Sequence, residues 1–116
     1  MSNPSLIVTI VQKGWGSTVL EATVKAGARG GTVLMGRGAG INEQERIFGM
    51  AIEPEKEIIL TLTYPDQVDK ILEEIVRAAG LNETGKGIAF VLPVERIVGI
   101  AHFMTQNRER DGNAGR

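Results

Sequence analysis

The chain has 116 residues, 42 % of them hydrophobic and 23 % charged, with a formal net charge of −1 at pH 7. That is one ordinary domain with a modest core, and it lacks the basic stripe with which a nucleic-acid binder neutralises phosphates. There is no cysteine, which removes disulfides and thiolate metal sites, and no apolar run approaches the ~20 residues of a bilayer span. The start, Met1-Ser2-Asn3-Pro4 before a short apolar run, does not read as a signal peptide, so a cytoplasmic protein is expected.

Residues 6–11, Leu-Ile-Val-Thr-Ile-Val, are short and β-branched and predict a buried first strand. Lys13-Gly14-Trp15-Gly16 is a turn. Thr18, with Glu21 three residues on, has the form of a capping box in front of a helix whose inner face is Val19, Ala22, Thr23 and Ala26. Gly27 stops that helix. Residues 31–35 predict a second strand. The polar, charged and glycine-bearing stretch 39–55, with an apolar island at Ile47, Phe48, Met50 and Ile52, reads as a long mobile loop and not as a folded element. Residues 57–63 are apolar on both faces and predict a central third strand. Pro65-Asp66 opens the clearest helix: Val68, Ile71, Leu72, Ile75, Val76 and Ala79 follow the i, i+3, i+4, i+7 spacing and Gly80 ends it. Residues 88–92 predict a fourth strand, and the tail from Thr105 is polar, glycine-bearing and expected to be disordered.

The order βαββαβ is the ferredoxin-like plan, an α+β sandwich with two helices on one face of a four-stranded antiparallel sheet. The other sheet face is too apolar for water, which predicts an oligomer.

Two glycine-centred segments carry the chemistry. Gly36-Arg37-Gly38-Ala39-Gly40 follows a strand without opening a helix, so it fails the context of a dinucleotide-binding fingerprint; hinge and phosphate cradle both fit it. Gly80-Leu81-Asn82-Glu83-Thr84-Gly85-Lys86 has the spacing of a P-loop as far as the lysine. Gly87 then stands where a magnesium-binding hydroxyl belongs, and the segment follows a helix, which excludes a Walker nucleotidase. Each segment still offers backbone N–H groups and one cation to an anion. His102, the single histidine, reads as structural. Asp66, Asp69, Glu73 and Glu74 read as solvated helix charges, and no nucleophile–base pair stands out, so no catalysis and no metal site are expected. Trp15 fits a turn anchor and a partner-binding side chain equally.

Taken together, Gly30-Gly31-Thr32-Val33 through Gly40, Tyr64-Pro65-Asp66-Gln67-Val68-Asp69, Gly85-Lys86-Gly87-Ile88-Ala89-Phe90-Val91 and Val94-Glu95-Arg96-Ile97-Val98 resemble the PII nitrogen-regulatory superfamily, in particular its PII-like branch. The resemblance implies a homotrimer of ferredoxin-like domains (residues 1–104, with a T-loop at 39–55 and a B-loop at 82–87, then the tail 105–116). It implies adenine nucleotide, as ADP, AMP or ATP, bound as an effector in clefts between subunits, with no required cofactor. The T-loop would dock on a membrane transporter or an enzyme. By position, Thr32 would face the adenine and Leu62 pack on it. Gly38, Gly40 and Asn42 would line the T-loop side of the phosphates, Gly85, Lys86 and Gly87 the opposing side, and Ile47, Phe48 and Met50 would be the partner-binding part. The loop has no tyrosine, which argues against nucleotidylation. The positions of the family's two late arginines hold Gly99 and Ala101, which predicts less advantage for ATP over ADP or AMP, and Asn42 in place of a glutamine puts 2-oxoglutarate sensing in doubt. Competing readings are a metal-binding trimer of the copper-tolerance type, against which zero cysteine and one histidine speak, slow nucleotide hydrolysis in the same cleft, and a structural oligomer without ligand.

Overall fold

The computed structural model describes residues 3–40, 45–47 and 50–99, with 45–47 and 50–52 described through their backbone alone. Its elements are β1 (Ser5–Gln12), α1 (Gly16–Lys25), β2 (Thr32–Arg37), β3 (Glu45–Ile47), β4 (Met50–Ile52), β5 (Glu55–Thr63), α2 (Pro65–Ala79) and β6 (Gly87–Pro93). Four strands form one antiparallel sheet in the order β2-β5-β1-β6. This is the ferredoxin-like arrangement, with β5, the predicted third strand, in the interior.

The inner face is built from alternate residues of the central strands. Ile7, Val11 and Ile59 are completely buried, because period 2 aims them together beneath the helices. Val19 and Ala26 of the first helix region and Ile71, Ile75 and Ala79 of α2 close over them. In α2 the predicted stripe divides: Ile71, Ile75 and Ala79 are buried, whereas Val68, Leu72 and Val76 flank them half-buried. Gly80 takes the left-handed conformation (φ 68°, ψ 37°), and the Leu81 N–H reaches back to the Val76 carbonyl at 3.2 Å. That is a Schellman-type stop.

Two local expectations are corrected. Thr18 is not an N-cap: α1 begins at Gly16 behind Trp15, with no side-chain cap from its own sequence. A distant residue supplies the acceptor instead. The Glu57 carboxylate accepts from the Gly14 N–H at 3.0 Å and the Gly16 N–H at 3.2 Å, satisfying one donor of the preceding turn and one that the helix start leaves open. A β-carbon at Gly16 would collide with that carboxylate. The stretch 39–55 is not wholly loop: β3 and β4 form a two-stranded antiparallel pair, Glu45 opposite Ile52 and Ile47 opposite Met50. Asn42, Phe48, His102, Ala101 and the tail 105–116 lie outside the described residues.

Residues directly opposite in an antiparallel pair share a face. The outer face therefore carries Leu34 from β2, Ile58, Leu60 and Leu62 from β5, Leu6, Val8 and Ile10 from β1, and Ile88, Phe90 and Leu92 from β6. Neither described helix covers them; Leu34, Phe90 and Leu92 are each more than two-fifths exposed and Ile88 is 56 % exposed.

Candidate functional site

At one end of this outer face, β1 and β2 finish while β5 and β6 begin. The chain ends that meet there enclose a concavity of about 440 Å³. One wall is Arg37, Gly38, Ala39 and Gly40; the other is Gly85 and Gly87; the floor is Ile10, Lys56, Ile58 and Ile88. The two glycine segments, some 45 residues apart in sequence, thus face one another across a single space.

The need for glycine differs along these walls. Gly87 has φ 144°, and a β-carbon there would lie 2.5 Å from the Ile10 carbonyl oxygen. Only glycine lets β6 begin this close to β1. Gly85 has φ 82° with open space around it, and its carbonyl accepts from Gln12 Nε2 at 2.8 Å. Gly38 meets nothing within 4 Å. Its N–H is donated to the Pro54 carbonyl at 3.1 Å, so Gly38 closes the root of the 39–54 excursion and does not aim its donor into the space.

Charge follows from strand phase. Lys56 falls on the apolar outer face, in step with Ile58, Leu60 and Leu62, and is 8 % exposed. Arg37 borders the space as well, but it stands opposite Glu55, out of phase with Lys56, so Lys56 is the cation that strand phase gives the lining. The described lining holds no carboxylate, the polarity that favours an anion. Two described carboxylates close to this end of the sheet are engaged elsewhere. Glu57 turns to the start of α1, and Glu55 pairs with Lys13 at 2.9 Å on the exposed side. The hydrogen bond and charge of Lys13, with a smaller contribution from Arg37, hold the Glu55 carboxyl below the usual carboxylate range.

Of the residues expected to touch a ligand, Gly38, Gly40, Gly85 and Gly87 line the concavity. Lys86 does not: its Nζ stands over the Trp15 ring, 5.6 Å from the centroid. Thr32 and Leu62 share the outer face but not the space. Thr32 pairs with Leu60, four positions from the Gly36–Lys56 pair, which is roughly 13 Å along the strand at ~3.3 Å per residue. Sequence reasoning passed over Lys56, Gln12 and Glu57. Lys56 had a visible signal, a cation in phase with three aliphatic residues of one strand. The other two had none, because their partners are backbone groups brought near only by the fold.

Among the described residues no group of three or more His, Cys, Asp or Glu is placed to hold a metal ion, and no helix is long and apolar enough to cross a membrane.

No curated protein matches the sequence. Among solved structures, a crystal structure of Arabidopsis thaliana PII bound to citrate matches with 27 % identity and a TM-score of 0.67, over 88 % of this chain and 87 % of that one. The family model for nitrogen regulatory protein P-II matches residues 5–102. With that match running from the first residue of β1 past the end of β6, the chain belongs to the nitrogen regulatory protein P-II family.

Proposed function

We propose that this P-II family regulatory protein binds an adenine nucleotide in the concavity between its two glycine segments and controls a partner protein through the 39–55 excursion. The observation that carries this reading is the lining: Lys56 and no described carboxylate, with Arg37 at the border, set between glycine walls that admit backbone close to a ligand. Phosphate is the common anion that uses both features. The Arabidopsis thaliana relative takes citrate, a compact polyanion, which agrees with an anionic effector. Proteins of this family are regulatory and not enzymes, and among the described residues no acid–base pair lines the concavity.

The outer sheet face supports the homotrimer. Ten apolar side chains from four strands lie on one uncovered surface, an arrangement that self-association buries. A neighbouring subunit is also what would bring a Thr32 and a Leu62 to the concavity, since a chain's own copies lie too far along its strands. The nucleotide then spans two subunits, with its base on one and its phosphates on the other.

Regulation follows from where the excursion is rooted. Arg37 to Gly40 leave β2, and Pro54 to Lys56 enter β5, so both roots flank the concavity. A ligand there favours one arrangement of the excursion, and the partner, a transporter or an enzyme, distinguishes the arrangements. The response is limited by the ligand's difference in affinity between them. With Gly99 and Ala101 in place of cationic side chains, the outer phosphate lacks contacts worth about 1.5–3 kcal/mol each, so ATP gains little over ADP.

Isothermal titration with AMP, ADP, ATP and citrate tests the proposal. Binding of ADP and ATP within about tenfold of one another, each 1.4 kcal/mol being a factor of ten, is the expected result. Absence of heat with all three nucleotides at millimolar concentration overturns the nucleotide reading, and heat with citrate alone replaces it with a carboxylate effector.

A further inference from the structure

Lys86 lies between Gly85 and Gly87, two residues that line the concavity, yet its own side chain does not enter it. The ammonium sits on the Trp15 ring instead, 5.6 Å from the centroid, within the range of a cation–π contact. Both ends of that contact are anchored by backbone. Trp15 donates its N–H to the Gln12 carbonyl and accepts from the Val19 N–H, each at 3.1 Å, at the start of α1. The loop beneath Lys86 is held by Gln12 Nε2 on the Gly85 carbonyl at 2.8 Å. What remains free to move is the lysine stem, whose torsions rotate without disturbing the loop. Among the described residues Lys86 has no carboxylate partner, so the ring is what holds its charge where it is.

We infer that Trp15 draws the Lys86 ammonium away from the concavity, and so acts as a residue that tunes affinity for phosphate-bearing ligands. The inference rests on the nucleotide reading above. A phosphate oxygen is a stronger partner for an ammonium than a ring that is 38 % exposed. Ligand phosphate therefore captures Lys86, but against the pull of the ring. Adenosine, with no phosphate, leaves Lys86 where it is.

The sign of the expected effect separates this role from a merely structural one. Trp15→Leu removes the competing partner, so ADP binds roughly two- to fivefold more tightly, the factor that an exposed cation–π contact supplies, while adenosine binding is unchanged. Trp15→Phe keeps a weaker ring and gives a smaller change of the same sign. In a Lys86→Gln background the Trp15→Leu effect on ADP disappears. Trp15 is the single tryptophan, so its emission in the unsubstituted protein shifts on ADP addition and not on adenosine. If ADP binds but the emission does not change, or if Trp15→Leu and Trp15→Phe both weaken ADP, this inference fails and the nucleotide reading stands. No heat from ADP in the unsubstituted protein overturns both.

Discussion

Replacing glycine by alanine at positions 38, 85 and 87 separates conformational strain from collision, because the three sites differ in both φ and crowding. At Gly38 an added β-carbon meets nothing and no left-handed φ is involved, so stability changes by no more than about 0.5 kcal/mol. At Gly85 the space is open but φ is 82°, and placing a side chain in that region costs about 1–2 kcal/mol. At Gly87 φ is 144°, and the β-carbon would lie 2.5 Å from the Ile10 carbonyl oxygen, 3.0 Å from Val11 Cγ1 and 3.2 Å from Leu81 Cδ2. The carbonyl is backbone of the central strand β1 and cannot swing aside. Strain of about 1–3 kcal/mol adds to overpacking of about 1–3 kcal/mol, so roughly 4 kcal/mol is expected. For a domain near this size about 1 kcal/mol moves Tm by ~4 °C. Calorimetry at one protein concentration should give Tm falls of roughly 2 °C or less for Gly38→Ala, 4–8 °C for Gly85→Ala and about 15 °C for Gly87→Ala. A Gly87→Ala protein that melts with Gly38→Ala would refute the claim that the β1–β6 approach demands glycine.

Further expectations concern the neighbouring contacts. Glu57→Ala strips the acceptor from the Gly14 and Gly16 N–H groups and should cost about 1–2 kcal/mol, like the loss of an ordinary N-cap; an unchanged urea midpoint would show that water replaces it. The Glu55 carboxyl is held low by Lys13, so its contribution to stability is complete above the ordinary Glu value, about pH 4.3, and is lost as pH falls through the lower folded-state value. Lys13 shifts upward through the same pair, so its share is lost only as pH rises past the ordinary lysine range. Glu55→Gln should flatten the acid limb of a stability–pH curve, and 1 M salt should do the same to the unsubstituted protein. Phe90→Asp puts a charge in the middle of the outer apolar face and should convert the proposed trimer to monomer in light scattering; an unsubstituted protein that is already monomeric at micromolar concentration would remove the trimer.

The elements that were legible in the sequence are those whose causes are local. The β-branched run in β1, the 3.6-residue spacing of α2 and the Gly80 stop all appear where the residues call for them. The two-stranded β3–β4 pair was not legible, because strands of three residues are too short for a period of 2 to show. The start of α1 was misread for the opposite reason: Thr18 and Glu21 form a plausible cap, but the Glu57 carboxylate reaches that helix end from a strand 41 residues away. Gly38, Gly40, Gly85 and Gly87 line the concavity, but for reasons the sequence did not show. Gly87 is required by the Ile10 carbonyl whether or not a ligand binds, and Gly38 N–H serves the Pro54 carbonyl. A glycine pattern that resembles a phosphate cradle is therefore partly a pattern of tight backbone packing.

The same contacts bear on how the site would act on the excursion between β2 and β5. Its two roots are bound together by Gly38 N–H to the Pro54 carbonyl at 3.1 Å. A second tie, Lys13 N–H to the Glu55 carbonyl at 3.3 Å, joins the β5 root to the turn after β1. The roots are therefore a fixed base, and a ligand cannot act by prising them apart without breaking backbone hydrogen bonds. What it would touch beyond the base is Ala39 and Gly40 on the open wall, where the chain has left the ladder. On the proposed reading the ligand works at that exit, selecting the direction in which the chain leaves Gly38 and not the separation of its ends. Stiffening the exit, as Gly40→Pro would, should therefore weaken the coupling between nucleotide and partner more than it weakens nucleotide binding. Equal losses in both, measured by titration with and without the partner, would place the lever elsewhere.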